Sequence, residues 1–124
     1  MVTTMMENKD NITVALARAK AIALEKGVNL TFSNLQVYIA LLTYATTSPN
    51  VKEYKYSFKF LLSGKELALK SDVSLKIASE SMKKFAQCGL LEYSQSGSRP
   101  AMIELKKILN EKNERGNNNE NDGI

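Results

Sequence analysis

From Asp10 the run NITVALARAKAIALEKG sets Ile12, Leu16, Ala19 and Ala23 at helical spacing, and its alanine filling favours the same geometry. Asp10 or Asn11 is placed to cap its start, and Gly27 stands where helices commonly stop. The pattern predicts a helix over 10–26, with residues 1–9 as a flexible terminus. A second helix is predicted from Phe32 to Thr46, where Leu35, Tyr38, Ile39, Leu42 and Ala45 repeat at three and four. Thr31 or Ser33 supplies its cap, Val37, Leu41 and Tyr44 make its flanks apolar too, and Ser48-Pro49-Asn50 breaks it.

The period then changes. In VKEYKYSFKF, Tyr54, Tyr56, Phe58 and Phe60 alternate with Lys55, Ser57 and Lys59, which is the period of a strand. One face of that strand is expected to pack on the core. The competing reading is a platform on which single-stranded bases stack.

The next stretch is SGKELALKSDVSLKIASESMKKFAQCGLLEY. Ser63 with Glu66 three residues later forms a capping box, opening a helix to about Lys70 with Leu67 and Ala68 inward. Ser71-Asp72-Val73 is a short turn, and Ser74 is a second N-cap. Helix geometry puts Leu75, Ala78, Met82 and Phe85 on one face, and Gly89 ends the helix before Leu90. Two helices joined this tightly form a helix-turn-helix pattern. Beyond them LLEYS and RPAMIEL flank QSGS, which predicts a β-hairpin with Ala101, Ile103 and Leu105 alternating. Pro100 near its tip suits an exposed edge. A short helix over 106–112, with Ile108 and Leu109 on its apolar side, and a disordered tail over 113–124 complete the expectation.

Composition narrows the function. The chain has 124 residues, which fits one domain, here taken as 10–112, and its 44% apolar content suffices for a core. It holds no His and one Cys, which removes Ser-His and Cys-His pairs, imidazole acid–base chemistry and His-containing zinc sites. No phosphate-binding loop, dinucleotide fingerprint, nucleophile elbow or acidic calcium loop is present, so neither an enzyme nor a cofactor is expected. The longest apolar stretch, Val37 to Ala45, is about half the length of a membrane span. The opening MVTTMMENKD has neither a basic start nor an apolar stretch leading to a cleavage site. With the lone Cys88, read as a packing residue, this predicts a cytoplasmic protein without membrane contact.

Charge is uneven. Residues 1–50 are net +1, residues 51–109 net +5 and residues 110–124 net −2. A basic middle segment points to an anionic partner.

The order helix, helix, strand, helix, turn, helix, hairpin resembles the winged helix-turn-helix domain over about Thr31 to Leu105. SLKIASESMKKFAQCGLLEYSQSGSRPAMIEL is similar to the recognition helix and wing of MarR-like and PadR-like regulators. In those families an apolar residue lies four before a Gly, two apolar residues open the wing, and an Arg stands near its tip. Phe85, Gly89, Leu90, Leu91 and Arg99 match. The fold class the resemblance implies is mostly α with a small β-hairpin (α+β), with an extra N-terminal helix.

The resemblance also implies a function: sequence-specific binding of double-stranded DNA by a homodimer. Helix 74–88 would read the major groove, and wing 90–105 the minor groove or the backbone. On this reading Lys76, Ser79, Glu80, Lys83 and Lys84 turn outward, with Ser74 at the helix start. Glu80 either accepts from a cytosine amine or, the favoured reading, pairs with Lys76 or Lys84 at helical spacing. Lys65, Lys70 and the helix start at Ser63 approach phosphates, and Arg99 enters a minor groove or makes a protein contact. A transcriptional repressor and a plasmid-partition protein that coats centromere DNA both fit, as does a winged-helix protein-interaction module without DNA. No effector-binding region is present, so no small-molecule effector is expected. The dimer is expected to form through helix 10–26, whose alanines at 15, 17, 19, 21 and 23 permit close helix approach.

Overall fold

The structure, a computed structural model, describes the backbone of residues 2–94 and 100–108 and the side chains within them from residue 12 onward. In chain order the elements are α1 (Val2–Glu25), α2 (Phe32–Thr47), β1 (Lys52–Glu53), β2 (Ser57–Leu62), α3 (Gly64–Ser71), α4 (Leu75–Gln87), β3 (Leu91–Ser94) and β4 (Ala101–Lys106). Among the described residues four helices and a four-stranded antiparallel sheet make the fold α+β; the strand order is β1-β2-β4-β3.

Local chemistry sets most of the boundaries. Thr31 caps α2 and Ser63 caps α3, each through a full capping box, with Asn34 and Glu66 as the returning side chains. Ser74 caps α4 by accepting from the Ile77 N–H at 3.1 Å. Each such cap contributes about 1 kcal/mol. Three helices end by one device, a left-handed residue that turns the next N–H back onto the last turn. Gly27 (φ +76°) and Gly89 (φ +81°) do so for α1 and α4, and Asp72 (φ +60°) does so for α3. The returning bonds are Val28 to Ala23 O at 2.8 Å, Leu90 to Phe85 O at 2.9 Å and Val73 to Ala68 O at 3.1 Å.

The hydrophobic layer lies between the helices and one face of the sheet. α2 packs on α1, α3 and α4 and on β2 and β4. Its Tyr38 meets Phe85 of α4 edge-on at 5.5 Å, and its Tyr44 meets Phe60 of β2 at 5.2 Å. On the sheet the register pairs Phe60 with Ile103 and Leu62 with Ala101 across β2–β4, and Leu91 with Leu105 across β3–β4. These side chains are all buried. The opposite face carries Lys59, Leu61, Glu92, Met102 and Glu104.

Four expectations are corrected. α1 begins at Val2, so neither Asp10 nor Asn11 caps it and residues 2–9 are not a loose terminus; no Gly or Pro interrupts 2–10 to stop the helix. The aromatic alternation is not one strand. β1 and β2 form a hairpin whose turn contains Lys55 and Tyr56, so Tyr54 and Tyr56 are 45% and 55% exposed while Phe60 is buried. Leu75, expected inward, is 52% exposed, because at the first position of α4 it lies beyond the covered part of the face.

The fourth correction concerns the helix over 106–112. Lys106 closes β4, donating its N–H to Leu90 O, and the Lys107 N–H bonds Tyr56 O at 2.9 Å, so the sheet has taken these backbone groups. Ile108 is buried in the core. Residues 109–112 of that helix, the tail at 113–124 and the hairpin tip 95–99 lie outside the described residues.

Candidate nucleic-acid interface

α4 presents its charge on one side because its other side is filled. Ala78, Ser81, Met82 and Phe85 are buried. Helical rotation then leaves Lys76, Ser79, Glu80 and Lys83 exposed in a stripe at spacings of three and four. Among the described residues Glu80 makes no ion pair within 4.0 Å, so the pairing expected with Lys76 or Lys84 is not formed. Lys76 and Lys83 are likewise without a carboxylate partner among the described residues.

α3 adds Lys65 and Lys70, both exposed. The Lys70 ammonium sits 5.2 Å from the centre of the Tyr44 ring, which orients it without neutralising it. The Ser63 hydroxyl accepts from the Glu66 N–H at 3.1 Å and the Ser74 hydroxyl from Ile77, so both are committed to their caps. The start of α4 and the hairpin are neighbours: Leu75, Ser79 and Met82 share a cleft of about 240 Å³ with Gly64, Tyr93 and Ala101. Arg99 lies outside the described residues.

Lys84 does not belong to this stripe. It is half-buried and turned toward the link between α1 and α2. Its ammonium donates to Asn29 O and to Asn34 Oδ1, each at 2.9 Å. Asn34, 4% exposed, also accepts from the Thr31 N–H at 2.9 Å and donates to Ser81 Oγ at 2.7 Å. Ser81 in turn donates to Ile77 O at 2.7 Å. This chain of bonds ties α2 to α4 and fixes the angle at which the outer stripe is presented. The expectation that Lys84 faces outward is corrected: it lies one helical step from Lys83, on the border next to α2, where two acceptors await it.

Among the described residues two groups are shifted in their proton affinity, both by burial and both away from the stripe. Tyr38 is held well above the ordinary tyrosine range, chiefly by loss of water and secondarily by the charge of a Cys88 thiolate. The Cys88 thiol, 2% exposed, is also pushed up by its burial. Among the described residues no group of three or more His, Cys, Asp or Glu side chains is arranged to hold a metal, and no helix is long and apolar enough to cross a membrane. The stripe carries point charges and hydrogen-bonding hydroxyl and ammonium groups at the surface.

Sequence reasoning missed the Lys84–Asn34 link, although Asn three residues after a capping Thr was its one visible sign. It also missed Leu75 as an exposed residue beside Lys76. No protein-family model matches the chain, and no curated protein matches it by sequence.

Proposed function

We propose that this protein is a small dimeric, sequence-specific double-stranded DNA-binding protein of the winged helix-turn-helix kind, acting as a transcriptional repressor in the cytoplasm without catalysis. α4 is its major-groove helix and the β3–β4 hairpin its wing. The observation that carries this reading is the outer stripe of α4. Lys76, Ser79 and Lys83 are exposed on a 13-residue helix whose other face is locked into the core. Among the described residues they form no ion pair with the stripe's one carboxylate, Glu80, or with any other. A helix of that diameter fits the major groove, where lysine and serine reach phosphates and base edges. Lys65 and Lys70 supply backbone contacts from α3. Leu75 adds an apolar group of the type that packs on a thymine methyl.

The dimer forms through a second stripe of α1. Ala15, Ala19 and Ala23 are buried within the chain's own core. Val14, Ala17, Ala21 and Leu24 are exposed on another side, at spacings of three, four and three that suit a helix pair. Ala21→Glu combined with Leu24→Glu is expected to halve the mass seen by light scattering. An unchanged dimer moves the interface off α1.

Duplex affinity measured against salt tests the main reading. Lys83→Ala is expected to weaken duplex binding and to lower the salt slope by about one, the effect of leaving one phosphate without its lysine. Absence of any binding at about 10 μM protein and low salt removes DNA from the reading, because the non-specific electrostatic term alone registers there. The chain is then a protein-interaction module. A footprint that spreads stepwise beyond one palindrome replaces repression with the partition role.

A further inference from the structure

The β1–β2 hairpin exposes the features a folded chain usually hides. Tyr54 and Tyr56, two residues apart, are 45% and 55% exposed. The hairpin frame holds them in place: Tyr54 donates its N–H to Ser57 O at 2.7 Å, and Tyr56 O accepts from the Lys107 N–H at 2.9 Å. A lysine stands over each ring, Lys59 at 5.5 Å from the centre of Tyr54 and Lys55 at 5.3 Å from that of Tyr56. Lys52 pairs directly with Lys59 across the two strands. The one acid of the hairpin, Glu53, is taken up by Lys107 at 2.6 Å. Lys59 also faces Glu104 across β2–β4, but that carboxylate accepts from the Ser57 hydroxyl at 2.9 Å and pairs with Lys106. Lys52, Lys55 and Lys59 form no ion pair within 4.0 Å among the described residues.

We infer that this hairpin is a binding site for single-stranded nucleic acid, with bases stacking on Tyr54 and Tyr56 and phosphates held by Lys52, Lys55 and Lys59. Each part of the site matches one part of that ligand. A ring half open to solvent offers a face to an unpaired base, and the flexible lysine that stands over it is within reach of the adjoining phosphate once a base takes its place. Duplex DNA does not fit, because its base faces are already covered by their neighbours. An acidic peptide engages the lysines and leaves both rings without a role. The hairpin's outer strand β1 lies at the opposite edge of the sheet from β3, the strand α4 packs against, so this site is distinct from the α4 stripe and is proposed independently of duplex binding.

The chain has no Trp, so its tyrosine fluorescence is a direct probe of stacking. Titration of the full chain with a thymidine oligonucleotide of about 12 nucleotides is expected to give saturable quenching. Tyr54→Leu with Tyr56→Leu is expected to lower affinity about tenfold or more, as removal of stacking does, while Tyr54→Phe with Tyr56→Phe retains it. Changing Lys52, Lys55 and Lys59 to Gln is expected to reduce the salt slope by about 0.7 for each phosphate that one of these lysines neutralises. The Leu pair keeps wild-type duplex affinity if the two surfaces are separate.

Three results each overturn the assignment. The oligonucleotide fails to bind at about 10 μM protein and low salt. Alternatively, the Leu pair, shown folded by circular dichroism, binds it as tightly as wild type. Or polyglutamate displaces it from wild type and Leu pair alike.

Discussion

On α4, Lys83 and Lys84 are consecutive, and about 100° of helical rotation separates their surroundings. Lys83 is exposed and has no carboxylate within 4.0 Å among the described residues. Lys84 is half-buried, its ammonium shared between Asn29 O and Asn34 Oδ1 at 2.9 Å each. The same residue type therefore does two jobs on one helix. The inner lysine bonds one acceptor on the exposed link before α2 and one on the buried Asn34 of α2, and so ties α4 to both. The outer one stays available to a partner. Charge at a position says little until its distance from the nearest acceptor is known.

The contrast breaks most visibly at Asn34, on which the inner lysine depends. Asn34→Leu removes the returning half of the α2 capping box and leaves both Lys84 and Ser81 short of a partner. The expected loss is about 2–4 kcal/mol, combining a cap with one or two underbonded buried groups. It is read from the denaturant midpoint. Adding Lys84→Met to Asn34→Leu is expected to cost less than the two single changes together, by about 1 kcal/mol, because the second change removes a group already stranded. Strict additivity means that Asn34 and Lys84 do not act as a unit.

The lysines themselves give the next effect, and it crosses over. Lys84→Ala is expected to lower stability by about 1–2 kcal/mol through removal of charge-assisted bonds, discounted for its partial exposure. Lys83→Ala is expected to stay within about 0.5 kcal/mol of wild type. Duplex affinity in the folded proteins reverses the order, falling with Lys83→Ala and holding with Lys84→Ala. Equal effects of the two changes on both measurements erase the distinction between inner and outer lysine.

How much of this was legible in the letters follows from the range of the interactions. Ser63 with Glu66, Ser74, Gly27 and Gly89 mark helix ends within three or four residues, and all five sit where the spacing placed them. Ala78, Met82 and Phe85 are buried as their period required. Lys84 was read wrongly because its acceptors are 50 and 55 residues away, and helical rotation alone leaves a border position undecided. Tyr54 and Tyr56 were read wrongly for a local reason. The turn between β1 and β2 contains no Gly, Pro, Asn or Asp, so nothing in VKEYKYSFKF announces that the alternation is folded back on itself. Of the candidate stripe, Lys76, Ser79 and Lys83 were found by period alone, whereas Leu75 was missed because period gives no account of where the covering layer ends.

The smallest expected effect sharpens the comparison at a second pair of positions. Asn34 and Tyr38 lie one turn apart on α2, both buried, yet one has partners on both its amide oxygen and nitrogen and the other has none on its hydroxyl. The Tyr38 hydroxyl has no hydrogen-bond partner among the described residues, and the residue is 0% exposed. Tyr38→Phe removes a desolvated hydroxyl and leaves the edge-on contact with Phe85 in place. Stability at neutral pH is therefore expected to stay level or rise by up to about 1 kcal/mol, the opposite sign to Asn34→Leu.

Alkaline pH separates the two proteins further. Burial raises the Tyr38 pKa in the folded state above its unfolded value of 10.0. Below that value both states hold the proton and Tyr38 adds no pH dependence. Above it the unfolded chain ionises while the folded chain does not, so stability falls with rising pH until the folded value is reached. The slope from this one group approaches about 1.4 kcal/mol per pH unit. Tyr38→Phe removes that contribution and leaves that of Cys88, whose raised pKa acts in the same direction from a lower starting point. Urea midpoints of wild type and Tyr38→Phe, compared at about pH 7 and about pH 11, are expected to diverge in favour of the variant at the higher pH. A constant difference across that interval means that the Tyr38 hydroxyl is not held in the dry position described here.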